Sequence, residues 1–454
     1  MVSLQATQKF LNKNEKQAIG LLSIGTFLEY FDLMLYVHMA VFLNEIFFPK
    51  TDPHTAALLS AFAFCSTFVF RPIGALIFGW LGDNIGRKST VIVTTFMMAI
   101  SCFIMANLPT YEQIGITAAW LLTLCRMVQG MSSMGEIIGA EIYLTEATKP
   151  PVQYPAVALI VTFSTIGTFA ALLVASFVTS HGLNWRIAFW FGGGVALVGV
   201  IARTTLRETA DFANAKLHLQ KVFNNVSNLT LVDKKKLEHN VLLQTSVVKK
   251  TAIAYFLIEC AWPVSFYFTY LYCSNILKNT FGYTAAQVIH HNLNVSIVNL
   301  VAYIILTYLS YKIYPLKILK FRLMVFWLLA LVSPFIFFSI KSPLEILLIQ
   351  SVFIIFRPDA FPAIPIYIKH FPIFKRFSYT SWLFALSRVS MHLITSFGLV
   401  YLVEYFDFFG MLMIMVPTSL GFAFGVNHFK QLEKAAGNYP ENRLNMIQNP
   451  KVAL

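Results

Sequence analysis

The chain has 454 residues, of which 57% are hydrophobic, 15% aromatic and only 12% charged. A soluble globular protein carries roughly 25% charged residues, so the composition excludes that class and places the chain in lipid. The net charge of +13 does not mark a nucleic-acid binder, because the cations are dispersed over loops between apolar runs rather than gathered in one patch.

Apolar runs of about 20 residues, the length that crosses about 30 Å of hydrocarbon, recur along the whole chain. They cover roughly 18–43, 55–82, 89–107, 114–143, 155–180, 187–205, 250–274, 285–310, 316–339, 344–367, 378–401 and 407–428. Backbone groups in lipid must be satisfied within their own segment, so these runs predict helices. Barrel strands would be shorter and would alternate. The fold class is therefore all-α integral membrane, with 12 transmembrane helices. The first run is too long for a cleaved signal peptide and carries Glu29 and Asp32, so it reads as a retained helix.

Residues 206–249 form the one long polar segment between runs, with Lys234-Lys235-Lys236 inside it. It separates six runs from six. The predicted organisation is a six-helix bundle over 1–205, a cytoplasmic linker over 206–249, a second six-helix bundle over 250–428, and a short tail over 429–454. Alternate loops are rich in Lys and Arg, with nine over 203–250, whereas the intervening loops carry only Lys50, Arg186, Lys278 and Lys341. That asymmetry places both termini in the cytoplasm. The partners it implies are a lipid bilayer and no nucleic acid.

Charges inside a bilayer are costly unless paired, which makes them functional candidates. In the first run Glu29 and Asp32 are three apart, a spacing that brings two carboxylates to one side of a helix. A carboxylate that changes protonation there would serve proton coupling; the alternative is a static cap or ion pair. The fourth run carries Arg126, Glu136 and Glu141. Ten residues separate Arg126 from Glu136, about 15 Å on a straight helix. Arg126 therefore needs a partner on another helix, with Glu29 and Asp32 the nearest candidates. Gly135 and Gly139 allow close helix approach beside Glu136, which reads as a cavity-lining site. Arg71-Pro72 predicts a kink in the second run.

In the seventh run, Tyr267, Tyr270 and Tyr272 with Trp262-Pro263 predict an aromatic, breakable helix that could box a cation or simply pack. Arg357-Pro358-Asp359 in the tenth run is a buried charge pair at a proline break. The five cysteines (Cys65, Cys102, Cys125, Cys260, Cys273) all fall inside apolar runs without metal-ligand spacing. Free thiols, no metal and no cofactor are expected. No Gly-x-x-x-x-Gly-Lys-(Ser/Thr) phosphate loop exists, which excludes an ATP-driven pump of that type. No nucleophile–base set points to an enzyme.

Between the second and third runs lies Gly79-Trp80-Leu81-Gly82-Asp83-Asn84-Ile85-Gly86-Arg87-Lys88. It resembles the loop signature of the major facilitator superfamily, Gly-x-Leu-(Ala/Gly)-Asp-x-x-Gly-Arg-(Lys/Arg), at every defining position. Further stretches are similar to the metabolite–proton symporter group, whose members carry proline, betaine, citrate, α-ketoglutarate or shikimate. They are Glu29 to Asp32, Arg71-Pro72-Ile73-Gly74, Arg126 to Gly130 with Gly135, Glu136 and Glu146, Trp185 to Phe189, and Leu206 to Phe212. The resemblance thins in the second half. It departs at Lys369, where the family has an acid, at Ala188, where it has proline, and at Glu141, where it has a small neutral residue.

The resemblance implies two six-helix bundles that alternate access to a central cavity. It implies an inner-membrane symporter, expected as a monomer, that imports a small polar solute with protons. Gly79, Asp83, Gly86, Arg87 and Lys88 would form the gating loop. Glu29, Asp32, Arg126, Glu136 and Glu141 would handle proton and substrate, with Tyr267, Tyr270, Arg357 and Asp359 as second-half substrate candidates. The rival readings are a proton-coupled antiporter and a transporter-like sensor. Antiporters of the superfamily show Gly-Pro in the fifth helix, and residues 155–180 lack that dipeptide.

Overall fold

The computed structural model describes residues 8–51, 53–84, 87–135, 137–203 and 247–440. The predicted linker over 206–249 therefore lies almost wholly outside the described residues. Among the described residues the chain is helical apart from short connections, and its one β-feature is an isolated bridge between Gln8 and Pro151.

The first half comprises α1 (Lys13–Phe47), α2 (Pro53–Val69), α3 (Arg71–Asn84), α4 (Arg87–Asn107), α5 (Ile116–Ser132), α6 (Ile137–Ala147), α7 (Gln153–Ser180) and α8 (Arg186–Arg203). The second comprises α9 (Lys249–Glu259), α10 (Ala261–Tyr267), α11 (Cys273–Phe281), α12 (Ala285–Lys312), α13 (Pro315–Ser339), α14 (Pro343–Phe356), α15 (Ile364–Lys369), α16 (Ile373–Phe406) and α17 (Leu412–Ala435). Grouped at their internal breaks, these helices occupy the twelve apolar runs of the sequence. Among the described residues seven stretches are long and apolar enough to cross a membrane by themselves, and the last of them, Lys375–Ala435, takes in most of α16 and all of α17.

Local chemistry explains the starts and breaks. Asn12 and Glu15 form a reciprocal capping box on α1, each side chain accepting the other's backbone N–H at 2.8 Å, which satisfies two of the orphan donors at the helix start. Pro72 lacks an N–H and crowds the preceding turn, and the helix breaks at Phe70 between α2 and α3. The fourth run is not one straight helix: a 3-10 turn at Ser133–Gly135 separates α5 from α6. A π-turn over Phe268–Tyr272 interrupts the seventh run, and non-helical backbone at 357–363 interrupts the tenth. Irregular backbone at membrane depth is tolerated where protein or a cavity surrounds it.

Outside, large apolar side chains face outward in helical register. On α13, Met324, Leu328, Leu331 and Phe335 are 57–65% exposed. In water such a stripe would be an aggregation liability; in a bilayer it is the lipid contact. Inside, two apolar clusters each draw on both halves. One joins Phe64 and Phe68 to Phe266 and Tyr267. The other joins Tyr154 and Ile138 to Phe361 and Phe429.

In the first half α7 packs closely against α1. A Cβ on Gly167 would overlap the Phe27 carbonyl and lie 3.1 Å from the Phe31 amide nitrogen. Gly167→Leu is expected to push α7 off α1 and destabilise the fold by about 1–3 kcal/mol. Fluorescence-detected size exclusion after heating would read this as a lowered melting midpoint. An unchanged midpoint would mean the two helices have room to part.

Candidate functional site

A cavity of about 60 Å³, room for a few waters, sits between the two halves. The first half contributes Tyr30 from α1, Glu141 from α6 and Thr165 from α7; the second contributes Glu259, Trp262, Tyr270, Tyr303, Arg357, Asp359 and Arg388. Three of the breaks above place these groups. The 3-10 turn leads into α6, the π-turn carries Tyr270, and the non-helical 357–363 stretch holds Arg357 and Asp359.

Two cations and two acids in the cavity pair within the second half. Arg388 donates to the Glu259 carboxylate at 3.1 Å and to the Glu259 carbonyl at 2.8 Å. Its guanidinium also lies 4.3 Å from the Phe384 ring centroid and 4.7 Å from that of Trp262. Arg357 lies 3.6 Å from Asp359. Tyr303 bridges that pair, its hydroxyl donating to Asp359 and accepting from Arg357. Glu141 is different. It is 5% exposed and lines the cavity; among the described residues its carboxylate makes no ion pair or hydrogen bond, and Arg388, engaged with Glu259, acts on it only from a distance.

The predicted site residues separate into distinct places. Glu141, Tyr270, Arg357 and Asp359 line the cavity. Glu29 is buried on α1 within electrostatic reach of Arg71 and Glu141. Asp32 turns instead toward the Cys102 thiol on α4 and Gly192 on α8. The Cys102 thiol is the one donor facing its two carboxylate oxygens, which have no other hydrogen-bond partner among the described residues. A spacing of three leaves two side chains about 60° apart around a 3.6-residue helix, enough to face different neighbours when protein surrounds the helix.

Arg126 does not meet a carboxylate among the described residues. It donates to Gln129 at 2.9 Å and to the Leu33 carbonyl at 3.3 Å, with Tyr36 beneath its guanidinium. Gln129 in turn donates to Cys102 at 3.2 Å. Arg126 and Asp32 are thus linked through polar intermediates rather than paired. Tyr267 packs against Phe64, outside the cavity. Glu136 and Gly86 lie outside the described residues. All five cysteines are free and buried. The sequence reading passed over Glu259, Tyr303 and Arg388, although two of them are intramembrane charges that the same rule would have flagged.

The face bearing the basic segments is closed by contacts between the halves. Arg376 pairs with Glu146 at 2.9 Å. Gly79 on α3 and Gly139 on α6 both present their bare backbone to Phe377 or Ser378 at the start of α16. Of the predicted gating loop, Gly79 is thus at the closure.

Beside it, burial pushes the Lys369 ammonium down from 10.5 to about 8; Arg376 adds to the shift and Glu433 opposes it. The closed form therefore binds fewer protons than an opened form in which water restores the ordinary value. Raising pH through the window from about 8 to 10.5 favours closure. Between pH 7 and pH 9 the closed population should rise roughly tenfold relative to the open one. Spin labels at Lys149 and Ile373 would report this as loss of the long-distance population. Lys369→Gln should flatten the response, and a response that survives that change would assign it to another group.

Residues 22–357 match the profile of the Major Facilitator Superfamily. The chain belongs to the Major Facilitator Superfamily. It is accordingly a multi-pass membrane protein of a transporter superfamily. Within the superfamily it is 34% identical over 205 residues to the proline/betaine transporter of Salmonella typhimurium, covering 43% of this chain and 41% of that one. It is 37% identical over 212 residues to the inner membrane metabolite transport protein YhjE of Escherichia coli, covering 44% and 48%. It is 32% identical over 211 residues to the citrate-proton symporter of Klebsiella pneumoniae, covering 44% and 47%. The chain thus matches less than half the length of these curated relatives. Among solved structures it is similar to the proton:xylose symporter XylE bound to 6-bromo-6-deoxy-D-glucose. That likeness has a TM-score of 0.70 at 14% identity, covers 90% of this chain and 94% of the other, and speaks for the fold alone.

Proposed function

We propose that this chain imports a small polar solute, a zwitterion or a carboxylate, together with protons, by alternating access to the cavity between its halves. The observation that carries the reading is the Glu141 carboxylate, enclosed in that cavity with no ion pair or hydrogen bond of its own among the described residues, the nearby Arg388 being held by Glu259. An enclosed charge is costly unless it is paired or neutralised. A group that must gain a partner or a proton before the cavity closes couples closure to both. Arg357 and Arg388 offer donors to a solute carboxylate, and the aromatic walls accept its apolar body. Glu29, Asp32, Arg126 and Glu136 are assigned supporting roles in proton handling. Asp83, Gly86, Arg87 and Lys88 are assigned, with Gly79, to the gate. The relatives named as proline/betaine transporter and citrate-proton symporter support both the solute class and the coupling. The basic loops support cytoplasmic termini in an inner membrane, and the function requires one chain.

The test is uptake of a panel of labelled zwitterions, carboxylates and sugars into proteoliposomes, with and without an inward proton gradient. Gradient-stimulated uptake collapsed by a protonophore is the expected result. Uptake indifferent to the gradient would refute coupling and leave facilitated diffusion.

A further inference from the structure

Three buried polar side chains follow one another on α12: Asn292, Ser296 and Asn299, at 6%, 0% and 5% exposure. Their i, i+4, i+7 spacing puts them on one helix face. Each has a side-chain oxygen with no hydrogen-bond partner among the described residues. Facing this row are Tyr270 and His38, whose rings lie 5.3 Å apart. The Tyr270 hydroxyl lies within interaction range of the Ser296 hydroxyl but makes no hydrogen bond of ordinary geometry to it, and His38 Nε2 is likewise buried and unpartnered.

The row has a direction. Asn299 and Tyr270 line the central cavity. Asn292 lies seven residues before Asn299, about 10 Å along the helix, on the side away from Lys312 and the basic face. His38 lies one turn beyond the cavity-lining Met34, also away from the basic face. Asn292 is held in place: its amide donates to Ser274 at 2.9 Å and to the Tyr270 carbonyl at 3.4 Å, which leaves Oδ1 aimed elsewhere.

Buried polar groups are satisfied by protein or by water in roughly 90% of cases or more. Isolated exceptions occur, but five in one row need a shared explanation. Polar residues on an inward helix face either bond a neighbouring helix or line a wet space; the Asn292 amide does the first, and the unpartnered oxygens of the row point to the second. We infer that this row is a hydrated passage joining the central cavity to the face opposite the basic segments, and that it carries the proton to Glu141. The Ser296 and Tyr270 hydroxyls donate and accept as water does, so a proton enters on one lone pair while another leaves from the O–H. The two carboxamide oxygens only accept, and hold the water chain in line. No bond other than O–H or N–H changes. The proton role rests on the coupled-import reading; the hydration does not.

Hydroxyl-radical footprinting of the intact protein in liposomes tests the passage, because radicals form from the water itself. His38 and Tyr270 are expected to be modified at least several-fold faster than Tyr272, which is comparably buried but packs against Phe268 and Phe337, off the cavity and the row. The Asn292→Leu/Ser296→Val double variant should bring both to the Tyr272 rate. It should also lower gradient-driven uptake several-fold while leaving solute exchange at zero gradient intact. Modification of His38 and Tyr270 at the Tyr272 rate in the native protein overturns the passage. Fast modification with undiminished gradient-driven uptake in the dried variant overturns its proton role. Footprinting does not depend on transport, so native uptake that ignores the gradient would refute the coupled-import reading while the hydrated passage stands.

Discussion

Glu141→Gln is expected to abolish accumulation against a gradient while sparing exchange of solute across the membrane. Glutamine keeps the shape of the side chain but is permanently neutral. The cavity around position 141 then closes at no charge cost whether or not a proton is bound. The closing step loses its dependence on the proton but not on the solute. Coupling free energies of 1–3 kcal/mol correspond to factors of about 5–150, so gradient-stimulated uptake should fall toward the high end, roughly 100-fold. Counterflow of labelled solute at equal pH on both sides should stay within about twofold of the native rate. Glu141→Ala removes the hydrogen-bonding oxygens as well and should reduce both activities. If Glu141→Gln still accumulates solute on an imposed proton gradient, the coupling carboxylate is elsewhere. Asp32, whose buried oxygens face only the Cys102 thiol among the described residues, then becomes the next candidate.

Much of the architecture was legible in the sequence because the bilayer restricts what a chain can do. Twelve apolar runs, a proline after Arg71 and a proline between Arg357 and Asp359 were enough to predict the helices and two of their breaks. The π-turn at Phe268–Tyr272 was legible only as a general breakability around Trp262-Pro263. The 3-10 turn at Ser133–Gly135 was not anticipated. Individual site residues were legible where the argument needed only burial and charge, as for Glu141 and the Arg357–Asp359 pair. They were not legible where it needed a partner from another helix. Nothing local to Arg126 reveals that its donors go to Gln129 and the Leu33 carbonyl. Nothing local to Glu29 and Asp32 reveals that packing on two sides of α1 turns them toward different neighbours. Arg388 and Glu259 are 129 residues apart, and only the fold brings them into contact.

That pair carries the second large effect. Arg388→Ala or Glu259→Gln removes one member of an ion pair whose side chains are 7% and 6% exposed. Breaking a buried pair by deleting one partner costs about 3–5 kcal/mol, because the remaining charge is left enclosed without compensation. Either variant should therefore lower the melting midpoint sharply, and much of the protein should elute as aggregate. The Arg388→Met/Glu259→Leu double variant leaves no stranded charge. Apolar replacement of a buried pair is often neutral or stabilising, so its melting midpoint should return close to that of the native protein. If the pair existed only for stability, that variant would transport normally. The position of both side chains on the cavity wall, with Trp262 under the guanidinium, predicts otherwise: native stability with uptake reduced to background for any carboxylate-bearing solute. A stable double variant that transports at the native rate would remove Arg388 from solute recognition and leave Arg357 as the anion-binding cation. A double variant as unstable as the singles would mean that the Glu259 carbonyl contact and the Trp262 stacking, rather than the ion pair, hold α16 against α9 and α10.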